Sequence, residues 1–420
     1  MRERTNAAGY GISLSTINNN AIYLSNSGTL MGFGGGDAGG IYAATVASTA
    51  TPLTIYNSGG IQAQSPGGNA FGISASGDSG QVTILNSGDL DIGAAQRAVG
   101  IGVTTSSDPS TTSGPISITN SASISATSSG GLAYGVYAST YGEGSGIAIT
   151  NTGPVGAAHA GLFAKTGSGP FMVPSSAGRY SPITIVNAGS ITTHGYGIFA
   201  QTAGEGSDIS ITNSGDITAS GADALGVFAV AHAGGDVEVK NTARIVATNG
   251  GTSVQAEAFS GNTTVVNHGD IMGGGLGLLA SADDITTVVN YGFISADSLY
   301  AIKVTPSSHG QASIVNYGDI TGFIKVFGQN DDFVFDNRSG GVFNARGTSL
   351  FAGGGLENQV GGTIQTSGDA RRAEVTNFSR ISHFYNYGRI SLVDGAASTR
   401  RKPSSRAGGL CRPGVTTMSI

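Results

Sequence analysis

The chain contains no Trp and a single Cys, Cys411, which stands in a C-terminal stretch unlike the rest. One cysteine excludes a disulfide framework and a cysteine-based metal site. Charged residues make up only 11 % of the sequence and the formal net charge is −6. No basic stripe interleaved with aromatics is present, so no nucleic-acid partner is expected. No apolar run approaches the roughly 20 residues of a membrane-spanning helix. The opening MRERTNAAGYGISLS (1–15) begins with basic residues but has no apolar segment behind them, so no signal peptide is read there. Helical periodicity is missing as well.

What is abundant is Gly, 70 of 420 residues, beside 39 % hydrophobic residues. Disordered chains are poor in aliphatics and rich in charge. Glycine here therefore belongs to a fold that turns often. Its placement is regular: ILNSGDLDIG (84–93), IVNAGSITTH (185–194), ITNSGDITAS (211–220), VVNHGDIMGG (265–274) and IVNYGDITGF (314–323) all place Gly two residues after an Asn and an aliphatic two further on. The Asn recurs as Asn26, Asn57, Asn86, Asn120, Asn151, Asn187, Asn213, Asn241, Asn267, Asn290 and Asn316. A mean period of about 29 residues marks a solenoid.

Each repeat has three parts. DISITN (208–213) puts Ile209 and Ile211 on one face, and GDITAS (215–220) does the same with Ile217 and Ala219. A third run follows, as in YGVYAS (134–139), AGLFAK (160–165), YGIFAQ (196–201), LGVFAV (225–230) and LGLLAS (276–281). Alternation with period two, bounded by Gly, Ser and Asn, reads as strand. Three short strands per repeat predict an all-β chain: a right-handed parallel β-helix of about a dozen or more coils. One coil alone cannot fold. It buries about six aliphatics at about 1.5–3 kcal/mol each, against about 1–2 kcal/mol for every backbone it orders. Neighbouring coils must supply the rest.

The Asn–Gly pair is expected at a corner, with Asn tolerating a left-handed backbone and Gly taking positive φ. Stacked coils would also let each Asn amide donate to one neighbour and accept from the other. Asn187, Asn213, Asn241, Asn267, Asn290 and Asn316 are accordingly expected in line.

Four segments follow from this pattern. Residues 1–8 read as an incomplete first coil, 9–320 as β-helix with coils of about 29 residues, and 321–398 as β-helix with coils of about 20. Residues 399–420 read as a disordered or aberrant tail. In 321–398 aromatics concentrate, namely Phe333, Phe335, Phe343, Phe351, Phe378, Phe384, Tyr385 and Tyr387, which marks it as the more stable end. The tail TRRKPSSRAGGLCRPGVTTMSI (399–420) is a basic arm or the product of a lost reading frame, the latter being preferred. The start GYGISLS (9–15) matches a third strand without its first two, so both ends read as cut.

Repeats such as ITNSGDITA with GVFAV, the shorter FDNRSGGVFNARGTSLF (335–351), and the closing FYNYGRISLVDGAAS (384–398) resemble the passenger region of bacterial autotransporters (type V secretion). The likeness covers about 9–398, and the ISLVDGAA segment is its most specific part. The resemblance implies export by a signal peptide and threading through a C-terminal outer-membrane barrel, both missing from these residues. It also implies folding at the cell surface. The implied function is non-catalytic presentation and adhesion by a stalk-type or adhesin-type rod. Host or surface glycans or proteins would be the partners, and membrane contact would run only through the missing barrel.

The alternative is a polysaccharide-acting β-helix enzyme, a lyase or hydrolase, which needs carboxylates converging on one face. The acidic pairs Asp283–Asp284 and Asp331–Asp332 read as turn residues. Asp89, Asp216, Asp270 and Asp319 share one position after the corner and read as a solvated edge. His159, His194, His232, His268, His309 and His383 lack metal-ligand spacing and read as exposed loop residues. GFGGGDAGG (32–40) lacks the Lys-Ser/Thr of a phosphate loop and reads as a glycine-rich turn. No catalytic, cofactor-binding or metal-binding residue is assigned, no cofactor is implied, and the chain is not expected to be an enzyme.

Overall fold

Alternating side chains set the strands. In Ile209–Asn213 the residues Ile209, Ile211 and Asn213 face inward and Ser210 and Thr212 outward. Ile217–Ala219 repeats the pattern, and Leu225–Ala231 closes the coil. A computed structural model describes residues 9–17, 20–46, 50–105, 113–167, 180–307, 310–327, 332–366, 377–392 and 417–419. Among them no helix occurs. They fall into two compact units, residues 1–237 and 238–420.

In the first unit every coil lies parallel on the next. Ile183 pairs with Ile209 and Asn187 with Asn213 in the first strands, Ile191 with Ile217 in the second, and Ile198 with Val227 in the third. The second unit repeats this arrangement, with Asn267 beside Asn290 and Ile271 beside Ile294. Parallel pairing of all three strands makes each unit a stack of parallel β-helical coils. Thr417–Ser419 is an exception, running antiparallel beside Asn377–Ser379. The expected tail otherwise lies outside the described residues, as do 1–8.

Coil length changes along the second unit. Successive corner asparagines are 26, 23 and 26 residues apart up to Asn316, then 21 and 21, then 28. Around Asn290 the second and third strands merge into Phe293–Val304, with register shifts at Tyr300.

The cores differ. In the first unit the interior is aliphatic, with Ile41, Ile73, Ile84, Ile101, Ile118 and Ile149 almost fully buried. In the second, Phe333, Phe335, Phe343, Phe351 and Phe378 fill the short coils. Their rings lie 5.1 to 6.3 Å apart, mostly tilted or edge to face, as aromatic quadrupoles prefer. Tyr385 and Tyr387 point outward instead.

Candidate functional surface

Buried amides form the main polar feature. In the first unit Asn26, Asn57, Asn86, Asn120, Asn151, Asn187 and Asn213 form a continuous ladder. Each Nδ2 donates to the Oδ1 of the next at 2.7 to 2.8 Å. The second proton goes to the carbonyl two residues on within the same corner, as from Asn151 to Gly153 at 2.9 Å. A buried amide is thereby satisfied without water. The second unit carries its own ladder, Asn241, Asn267, Asn290, Asn316, Asn337, Asn358 and Asn386, with rungs of 2.7 to 2.9 Å.

The last three rungs were not read from the sequence. Asn337 and Asn358 carry their glycines three and four residues on (NRSGG, NQVGG), so the Asn-x-Gly spacing misses them. Gly340 and Gly361 take up the longer corner at positive φ.

The expected reason for the ordinary corner glycine is corrected. Neither the ladder asparagines nor Gly59, Gly88 or Gly215 have positive φ. What demands glycine is the stacking of carbonyls. A Cβ on Gly88 would run into the carbonyl oxygen of Gly59, and one on Gly215 into that of Gly189. Ala122 and Ala243 stand at the same place in two coils, so the crowding is locally relieved there.

A second polar column runs along the ends of the third strands in the first unit. Thr105, Thr140, Thr166 and Thr202 are in register and buried. Ser113 meets Thr140 at 2.7 Å, and the hydroxyls of Ser181 and Ser207 accept backbone N–H groups one coil back at 2.9 and 3.0 Å. The final Thr of VTT, AST, AKT and AQT was the available sequence signal.

Outside, aromatics stack in columns. Tyr137, Phe163, Phe199 and Phe228 lie face to face at 4.9, 4.5 and 4.9 Å. Beside them the Arg97 guanidinium covers Tyr137 at 4.6 Å and Tyr134 at 5.2 Å. His268, Tyr291 and Tyr317 make a second stack at the corners of the other unit, with nearly parallel rings at 4.5 and 4.8 Å.

Three histidines depart from the exposed-loop expectation. His159 is half-buried, edge-on to Tyr134 and Tyr196, and burial lowers its pKa from the ordinary imidazole value. His232 is half-buried against Gln201 at 2.8 Å; burial lowers its pKa, with a further contribution from Lys165. His383 is partly covered, with Ser382 Oγ 3.0 Å from its Nδ1. His194 and His268 are exposed, while His309 lies outside the described residues.

The acidic candidates do not converge. Asp270 and Asp319 are separated in register by Phe293. Asp89 accepts the Ser123 N–H at 3.0 Å, and Asp283 accepts the Ser260 N–H at 3.1 Å, both as corner or turn ligands. Asp331 lies outside the described residues. In GFGGGDAGG, Asp37 accepts the backbone N–H of Asn69 at 2.9 Å and ties two coils together. Among the described residues no three His, Cys, Asp or Glu side chains come together.

The larger of two described grooves, about 930 Å³, crosses four coils of the first unit. Phe33, Gln64, Gly93, Ala94, Thr127 and Ser128 line it, with no charged side chain among its walls. Among the described residues no helix is long and apolar enough to cross a membrane, which says nothing of a β-barrel.

The class defined by this geometry is the parallel β-helix repeat protein. Comparison with protein-family models, with curated proteins and with solved structures returned no match.

Proposed function

We propose that the chain is a non-catalytic β-helical stalk of the adhesin type, the passenger region of a surface-anchored autotransporter. The observation that carries this is the use of recurrent positions. Corner Asn, corner Gly, inward aliphatics and the Thr column all go to holding coils together. The outward positions vary and are rich in Ser, Thr and Tyr, residues suited to weak contacts repeated along an extended surface. The uncharged groove supports the same function over the polysaccharide-acting alternative, because glycosidic cleavage by paired carboxylates would place acids there.

The test uses beads coated with the full chain, alongside incubation of the soluble chain with polygalacturonate and hyaluronan. Retention of the beads on glycan- or protein-coated surfaces, without release of reducing ends or unsaturated uronates, is expected. Release of either product would establish the enzyme instead. Beads that adhere to none of the surfaces would remove the adhesive function.

A further inference from the structure

In the second unit, Phe293–Val304 and Asp319–Val326 pair so that Lys303 stands directly beside Lys325. Adjacent coils are about 4.8 Å apart. Both ammonium groups lie on one ring: Lys303 Nζ is 4.9 Å and Lys325 Nζ 4.2 Å from the centre of Phe327. Lys325 Nζ is also 4.8 Å from the Tyr300 ring centre and donates to Tyr300 Oη at 2.9 Å. Among the described residues neither lysine has a carboxylate at ion-pair distance. Like charges directly opposite each other on a sheet repel. Among the described residues no carboxylate offsets this repulsion, although the chain as a whole carries −6. Aromatic rings fix the two stems in place, so the charges are held ready rather than dispersed in solvent. Phe327 remains 37 % exposed beside them.

We propose that Lys303, Lys325, Tyr300 and Phe327 form a binding site for an acidic oligosaccharide, whose carboxylate or sulfate sits between the two ammonium groups. It rests on the adhesive function proposed above and names the ligand class for one part of the surface. An oxyanion bridging the two Nζ atoms relieves their repulsion and makes charge-assisted hydrogen bonds. The C–H face of the sugar packs on the exposed part of the Phe327 ring, and Tyr300 Oη serves a sugar hydroxyl. A polynucleotide fits less well. Two cations are far fewer than a phosphate backbone engages, and the net negative charge of the chain opposes its approach.

The test measures binding of the full chain to four probes: a sulfated heparin octasaccharide, a hyaluronan octasaccharide carrying only carboxylates, a neutral dextran oligomer and poly-dT. At least one acidic sugar is expected to bind, and the pair of acidic probes separates sulfate from carboxylate recognition. Lys303→Gln or Lys325→Gln should each weaken it about tenfold, the loss of one charge-assisted contact. Lys303→Arg/Lys325→Arg, which keeps both charges, should bind within about threefold of the unaltered chain. Salt near 1 M, where screening acts within about 3 Å, should abolish binding. Equal binding by the Gln variants, tighter binding of poly-dT, equal binding of dextran, or no binding of either acidic sugar overturns the site. If the Gln variants bind the acidic probes as the unaltered chain does while the beads still adhere, this site falls and the adhesive function stands. If the unaltered chain adheres nowhere, that function falls first.

Discussion

Replacing Asn151 by Ala tests the ladder most directly. Its side chain is fully buried, donates to Gly153 O at 2.9 Å and Asn187 Oδ1 at 2.8 Å, and accepts from Asn120 Nδ2 at 2.8 Å. Truncation leaves Asn187 Oδ1, the Gly153 carbonyl and one amide proton of Asn120 without the partner Asn151 supplied. Each buried orphan costs about 1–3 kcal/mol, so the three together put the cost of Asn151→Ala at about 3 kcal/mol or more. Asn386→Ala is the control: it removes the single bond received from Asn358, on a less buried side chain, and should cost about 1 kcal/mol. Stacked repeats open locally, so a global midpoint alone is a poor readout. Hydrogen exchange at the Thr152 and Ala188 amides, which donate to Asn120 O and Asn151 O, reports on that corner. Asn151→Asp adds a pH arm. It keeps an acceptor but turns a carboxylate toward Asn187 Oδ1 and the Gly153 carbonyl. Burial and facing lone pairs raise its folded pKa, so the folded form binds the proton more tightly. Stability relative to the unaltered chain should therefore be greatest below about pH 4 and fall as pH rises. If Asn151→Ala exchanges no faster than Asn386→Ala does at its own corner, or the Asp variant is indifferent to pH, the ladder does not hold the coils together.

Gly88→Ala should destabilise by about 1–3 kcal/mol through its collision with the Gly59 carbonyl, whereas Ala122→Gly at the equivalent corner should change stability far less; thermal melts compare them. His159 and His232 have depressed pKa values, so their contribution to stability is present above 6.5 and is lost as pH falls through their lower folded values. Urea midpoints taken from pH 8 down to pH 5 should fall less steeply in His159→Gln/His232→Gln. Phe343→Ala should cost about 3–5 kcal/mol by removing the ring packed against Phe335 and Phe378, read from denaturant unfolding. Limited proteolysis of the unaltered chain should spare the coils around Phe335 and Phe343 longer than those around Asn57 and Asn86, and the reverse order of cleavage would contradict their greater stability.

The β-helix was legible because each coil writes its corner and its two inward aliphatics in nearly the same letters, as in ITNSGDITAS and IVNYGDITGF. Alternation and period are local properties, and local properties survive in a sequence. The reason for the corner glycine was not legible. Positive φ is a property of one residue, but the collision at Gly88 involves Gly59, one coil away. Asn337 and Asn358 escaped because two extra corner residues shift their glycines while leaving the rung intact. Half-burial of His159 depends on Tyr134 and Tyr196 in flanking coils. The lysine pair escaped for the same reason: only the register of Phe293–Val304 against Asp319–Val326 places Lys303 beside Lys325.

Rung spacing in sequence ranges from 21 to 36 residues, yet the rung bond stays at 2.7 to 2.9 Å. The ladder thus behaves as a counter that ignores what happens between ticks. A coil can gain or lose about a dozen residues away from the corner, and the next Asn still returns to the same place. Gene segments encoding outward loops can accordingly be inserted, deleted or exchanged one coil at a time without resetting the alignment of the others. Such a scaffold separates the part of the sequence that keeps the chain in order from the part free to diversify, and lets the second change rapidly under selection from whatever it touches.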